Sequence, residues 1–347
     1  MTDDVEFEED LLSSTSSFQT ELRPANLKEY LKLIKMDSLS FIFFMIPGML
    51  YGLFVFKLEF HLGLLLRLSL GLLSFYSLTS ASSSLNNFLD VGFDKYHPLK
   101  QVSRSRNGIF NQKLVFIGFA VLSLIGLLLA SLISIKYFIA AIFIVLITLL
   151  YNLKPIRLKD RVFLDVLSES LVNPVRFAAG WFLVSPALGF PSSKWDLDWI
   201  NTLPPISIII AFWMGGAFLM ATKRFAEFRL INDHHLAKLY RRSFKFYSEN
   251  SLLISILFYA VNFAFFMGIF LIKEKIELLL SFPFFAVLFA WYLKIGLLDE
   301  SPLQGYKKIY SRKWFMIYLL VFFILFIILM FIKIPWLYWL VKNVNNY

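Results

Sequence analysis

Nine apolar stretches set the terms for any fold this chain can adopt. They run at roughly 39–56, 62–88, 114–134, 136–152, 163–188, 203–222, 252–272, 278–297 and 314–333. Most are close to the ~20 residues a helix needs to cross about 30 Å of hydrocarbon. Lipid offers no partners to backbone N–H and C=O groups, so such segments must satisfy them internally, as helices. At 58% hydrophobic residues the chain also exceeds the roughly 45–50% of soluble domains. The expectation is an all-α, polytopic, multi-pass membrane protein of nine transmembrane helices.

The charges between these stretches orient them. Alternate segments, beginning with the N-terminal one, carry 25 Lys and Arg, and the others carry 7. The positive-inside rule then puts the N-terminus in the cytoplasm and the C-terminus outside, as an odd number of spans requires. The net charge of +10 is thus a matter of topology and does not call for nucleic acid. Residues 1–26, with six carboxylates followed by a Ser/Thr run, read as a disordered acidic tail. Residues 27–37 read as a short amphipathic helix on the membrane surface, and 27–347 as one membrane domain. With no Cys, there is no thiolate nucleophile or disulfide. Phosphate-binding Gly loops, Ser nucleophile motifs and H-E-x-x-H are likewise missing.

Three inner loops are polar beyond what orientation requires. The first opens inside the second span, where Asn86, Asp90 and Asp94 stand four apart and share a helical face. These hard oxygen donors suit Mg²⁺ that carries phosphate groups, and Lys100 and Arg104 follow to hold phosphate oxygens. The second runs from Tyr151 through Lys154 and Lys159 into a span whose Asp165, Glu169, Asn173 and Arg176 form one stripe. A polar stripe in a membrane helix faces a cavity or protein, and ion pairing between helices would produce it as readily as catalysis. The third holds Lys223, Arg224 and Glu227, and Glu227 is placed to complete a metal site with Asp90 and Asp94. His234 and His235 lack a spaced third ligand and read as surface histidines.

These features resemble the UbiA superfamily of intramembrane prenyltransferases. Asn86, Asp90 and Asp94 match its N-x-x-x-D-x-x-x-D motif, and Tyr151 with Lys154 or Lys159 matches its Tyr/Lys segment. The stretch from Asp94 through His97 and Pro98 to Lys100, and the Lys223-Arg224-x-x-Glu227 run, are similar to its polyprenyl-phosphate phosphoribosyltransferase branch. Two positions depart from the pattern. Asn87 stands where Asp is usual, and Ser103 to Gly108 lacks the Arg-Pro pair of Arg-Pro-x-x-x-Gly.

The resemblance implies a central cavity open to the cytoplasm and a diphosphate-bearing donor. It implies Mg²⁺ on Asp90, Asp94 and Glu227, with Asn86 beside them, and diphosphate held by Lys100, Arg104, Lys154, Lys223 and Arg224. Tyr151, Lys159 and Asp165 become the catalytic candidates, and Glu169, Asn173 and Arg176 line the cavity. The partners are a prenyl diphosphate and a lipid-soluble acceptor, and the expected location is a bacterial inner membrane. Phosphoribosyl transfer to a polyprenyl phosphate, intramembrane terpene cyclisation and transport are the rival readings.

Overall fold

The computed structural model describes residues 24–35, 44–58, 61–100, 109–186, 200–298 and 312–338. Most of the acidic tail, the start of the first expected span and Arg104 lie outside them. The described chain is built from helices, with a single isolated backbone bridge between Pro24 and Ile109. Helix α1 (Leu27–Lys35) begins on a reciprocal cap: Glu29 N donates to Asn26 Oδ1 and Asn26 N to Glu29 Oε2. It packs along α3 (Leu62–Leu89).

Among the described residues, seven segments are long and apolar enough to cross a membrane. They are α3, α5 (Gln112–Ser131), α6 (Ile135–Asn152), α9 (Ile206–Ile231), α11 (Glu249–Glu274), Ile276–Gly296 and α13 (Lys313–Phe331). Ile276–Gly296 enters through a 3₁₀ turn and continues as α12 (Phe282–Gly296). The first expected span is represented by α2 (Ile46–Phe56), which is 11 residues long. The fifth is divided into α7 (Leu164–Ser170) and α8 (Val172–Val184), which meet at Leu171. Pro174 explains the division, because it has no N–H to give the Ser170 carbonyl and its ring crowds that oxygen.

Exposed Leu, Ile, Val and Phe cover the outside of α5, α11 and α13, as a lipid-facing surface requires. Inside, small residues bring helices close. A Cβ on Gly48 of α2 would lie 2.0 Å from the Phe177 carbonyl oxygen, and one on Gly180 of α8 would lie 2.0 Å from that of Met45. The two helices therefore touch backbone to backbone, as small-residue membrane interfaces do. Gly180→Ala is expected to destabilise the fold by about 1–3 kcal/mol through overpacking, read as an earlier thermal unfolding midpoint in detergent. An unchanged midpoint would show that the seam can open.

Helix length places the polar residues. At 1.5 Å per residue, the 28 residues of α3 extend about 42 Å, more than the ~30 Å of hydrocarbon. The 26-residue α9 overhangs in the same way. Their last turns, with Asn86 on α3 and Arg224 and Glu227 on α9, thus lie toward the bilayer boundary and not at its centre. There the chain adds its short elements: α4 (Val91–Asp94), the 3₁₀ turn Leu158–Asp160, α10 (His234–Tyr240) and the 3₁₀ turn Arg242–Lys245. This is the basic end of the bundle.

Candidate active site

Asp90 ends α3 and opens α4. Lys159 reaches it from the turn after α6: its Nζ donates to Asp90 Oδ1 at 2.7 Å and to Asn152 Oδ1 at 3.0 Å. That turn is strained, with Arg157 at φ 34° and Phe163, just beyond it, at φ 61°. Burial alone would raise the Asp90 pKa. Lys159 and Arg241 outweigh it and hold the carboxyl below its ordinary value.

Asp94, one turn on, is buried and meets a different lysine. Backbone bonds from His97 N to Asp94 O and from Lys100 N to His97 O, each 3.1 Å, fold the chain back through Pro98. Lys100 Nζ then stands 3.6 Å from Asp94 Oδ1 and 3.7 Å from Glu227 Oε1, and donates to Tyr240 Oη at 2.6 Å. His97 is enclosed with its ring edge-on to Tyr240 at 5.0 Å. Its Nδ1 accepts from Leu99 N, and burial pulls its pKa down to about 4, so the imidazole is neutral near pH 7.

A pocket opens between these groups, lined by Asp90, Phe93, Asp94, Arg157, Lys159, Asp160, Tyr240, Arg241 and Arg242. Beside it lies a second network around the buried Arg224. Its guanidinium donates to Glu227 Oε2 at 2.7 Å and to Glu169 Oε2, and its Nε is 3.6 Å from Asp165 Oδ2. Tyr247 donates to Asp165 Oδ1 at 2.7 Å and Ser243 to Oδ2 at 3.1 Å. Both Asp165 oxygens are therefore engaged and the side chain is fully enclosed. Glu169 keeps 28% of its side chain exposed and accepts from Tyr151 Oη at 2.8 Å. Arg241 connects pocket and network, lining the pocket and approaching Tyr151 Oη at 3.4 Å and Asp165 Oδ2 at 3.9 Å.

The structure thus brings Asp90, Asp94 and Lys159 to the pocket lining, Lys100 and Tyr151 against lining residues, and Asp165, Glu169, Arg224 and Glu227 to the second network. Lys223 sits half-buried one helical turn before Glu227. Asn173 and Arg176 form a separate pair on α8, at 2.9 Å, with Asn173 closely apposed to Gly216 of α9. Lys154 is exposed and does not line the pocket.

Tyr240, Arg241 and Ser243 join the site although local spacing gives no sign of it, as do Arg242 and Tyr247, a pair that is similar to the phosphoribosyltransferase branch. In the sequence Arg241 is one more orienting charge, and only the packing of α10 on α4 reveals its place.

Among the described residues no three His, Cys, Asp or Glu side chains come close enough to enclose a metal ion by themselves. A Mg²⁺ carried by phosphates needs only one or two protein carboxylates, the rest of its shell being phosphate and water. The donor chemistry fits that case. Asp90 and Asp94 offer hard oxygen donors, each beside a lysine ammonium. Asn86 Oδ1 is buried there with no hydrogen-bond donor.

Residues 42–304 match the family model of the UbiA prenyltransferase family. No curated protein sequence matches the chain. Among solved structures, it is similar to a UbiA homolog from Archaeoglobus fulgidus bound to GPP and Mg²⁺, with TM-score 0.59 and 19% identity over 87% of this chain and 99% of that one. The same homolog bound to DMAPP and Mg²⁺ matches with TM-score 0.59 and 19% identity over 88% and 99%. A structure concerned with digeranylgeranylglyceryl phosphate synthase matches with TM-score 0.56 and 16% identity over 88% and 98%. At these identities the likeness is one of fold.

Proposed function

Because the chain belongs to the UbiA prenyltransferase family, we propose that it moves a prenyl group from a prenyl diphosphate to a lipid-soluble acceptor, with Mg²⁺ as cofactor. The observation that carries this reading is the pocket. Three carboxylates, Asp90, Asp94 and Asp160, and four cations line one pocket at the basic end of an apolar bundle, a setting that suits a diphosphate carried with Mg²⁺. The basic end is assigned to the cytoplasm on the strength of its excess Lys and Arg.

The diphosphate lies against Arg157, Lys159, Arg241 and Arg242. Breaking the C–O bond leaves its electron pair on the diphosphate, and these fixed charges stabilise the anion that develops. Asp90 and Asp94, with Asn86 beside them, would hold Mg²⁺, which would supply Lewis-acid stabilisation of the leaving diphosphate. The allylic cation left behind is shielded from water by the packed helices. Tyr151, buried beside Lys159, offers it a ring face, a contact worth roughly 0.5–2 kcal/mol. The acceptor nucleophile forms the new bond and releases its proton to Glu169, the partly open carboxylate. Asp165, with both oxygens bonded, positions Arg224, Tyr247 and Arg241.

Arg241→Met is expected to raise the KM for the donor about tenfold, since a hydrogen bond to a charged group is worth ~1.5–3 kcal/mol. Steady-state kinetics with a labelled donor measures it, and an unchanged KM removes Arg241 from the diphosphate site.

One observation favours a second donor. The four cations of the pocket, two of them paired with Asp90 and Asp160, also suit phosphoribosyl diphosphate, which carries a further phosphate. Membranes containing the protein, incubated in parallel with labelled prenyl diphosphates and labelled phosphoribosyl diphosphate, distinguish the two by mass spectrometry of the lipid products. Cyclised hydrocarbon without an acceptor would indicate a cyclase, and flux into proteoliposomes without product a transporter.

A further inference from the structure

The acidic side chains at the basic end are not equivalent. Asp90 has one close cation, Lys159, with 24% of its side chain exposed toward the pocket. It also has the donor-less Asn86 Oδ1 a helical turn before it. Asp94 and Glu227, on different helices, share Lys100, whose Nζ is 3.6 Å from one and 3.7 Å from the other.

That ammonium is locked. Tyr240 Oη accepts from it at 2.6 Å and itself donates to Glu227 Oε1 at 3.3 Å. The tyrosine ring lies 5.0 Å from the ammonium, and the enclosed His97 fixes the ring from the side. Both Glu227 oxygens are engaged, Oε1 by Tyr240 and Lys100 and Oε2 by Arg224 at 2.7 Å.

We infer that Lys100 is a built-in cation that takes the place of a metal ion between Asp94 and Glu227, so that the site holds one divalent ion, on the Asp90 side. The inference rests on the metal-assisted reading proposed above. A position between two carboxylates on separate helices would otherwise attract a second divalent cation, since two anions this close repel unless a cation lies between them. A lysine achieves this without a metal: the charge is permanent and covalently attached, and its position is set by a turn of backbone. Adding a divalent ion beside it would set like charges against each other, next to Glu227 oxygens already engaged by Arg224, Tyr240 and Lys100.

The test is a count. Purified protein in nanodiscs is titrated with Mn²⁺ in the presence of inorganic pyrophosphate, and bound Mn²⁺ is measured by electron paramagnetic resonance. One Mn²⁺ per chain is expected for the natural sequence and two for Lys100→Ala, falling back to one when Glu227→Gln is added. Lys100→Met, which keeps the aliphatic stem against Tyr240, is the second variant and is also expected to bind two. Two ions on the natural sequence, or one on both Lys100 variants, overturn the inference while leaving the proposed function standing. An absence of Mn²⁺ from the natural sequence overturns the metal reading and the inference together.

Discussion

Asp90→Asn is expected to lower turnover by about 10²–10³-fold while the protein still reaches the membrane. The substitution keeps size and shape and removes only charge. It takes away the carboxylate that faces the pocket and leaves the Lys159 ammonium beside a neutral amide. Losing one preorganised electrostatic group at a developing charge commonly has that effect on rate. The measurement is formation of labelled lipid product at saturating donor across a Mg²⁺ titration. Activity near that of the natural sequence would remove Asp90 from the metal site. Asp94→Asn is expected to do less, because Asp94 is buried and already shares its charge with the Lys100 ammonium.

Arg224→Met is expected to be the most damaging substitution for stability, at about 3–5 kcal/mol, the usual cost of leaving buried charge without its partner. Arg224 is 1% exposed and serves Asp165, Glu169 and Glu227 together. Methionine fills much of the volume, so the loss isolates charge from packing. Thermal unfolding in detergent reads it as a large drop in the midpoint. Arg224→Lys is expected to recover only part, since one ammonium cannot direct donors to three carboxylates as a planar guanidinium does. A midpoint unchanged by Arg224→Met would mean that the three acids are satisfied by Arg241, Tyr247 and Ser243 alone.

The helical architecture was legible because hydrocarbon imposes one requirement on every segment that crosses it, and that requirement is local in sequence. The stripe from Asp165 to Arg176 marks where local reading ends. Spacing puts the four residues on one face, but Pro174 interrupts the helix at Leu171. Asp165 and Glu169 then join Arg224, and Asn173 and Arg176 pair with each other. Lysine partners were equally beyond local reading. Lys159 meets Asp90 from 69 positions away, and Lys100 meets Tyr240 across 140. Such pairings are decided by which helix ends overhang the bilayer and how the short elements fold over them. Arg241 shows this most plainly: a charge that any topology rule assigns to orientation also occupies the centre of the site.

The overhang of α3 and α9 has a consequence for the direction of the proposed prenyl transfer. In that reaction a pocket at the boundary between hydrocarbon and water would deliver its two products into different phases. Diphosphate would depart into the aqueous compartment, where dilution removes it, and a prenylated lipid would remain in the bilayer. For the bond to re-form, both would have to return to one pocket from separate phases. Partition alone therefore favours the forward direction, without a lid or a moving domain. A site at mid-membrane would lack this advantage, because a released anion would have no water to enter.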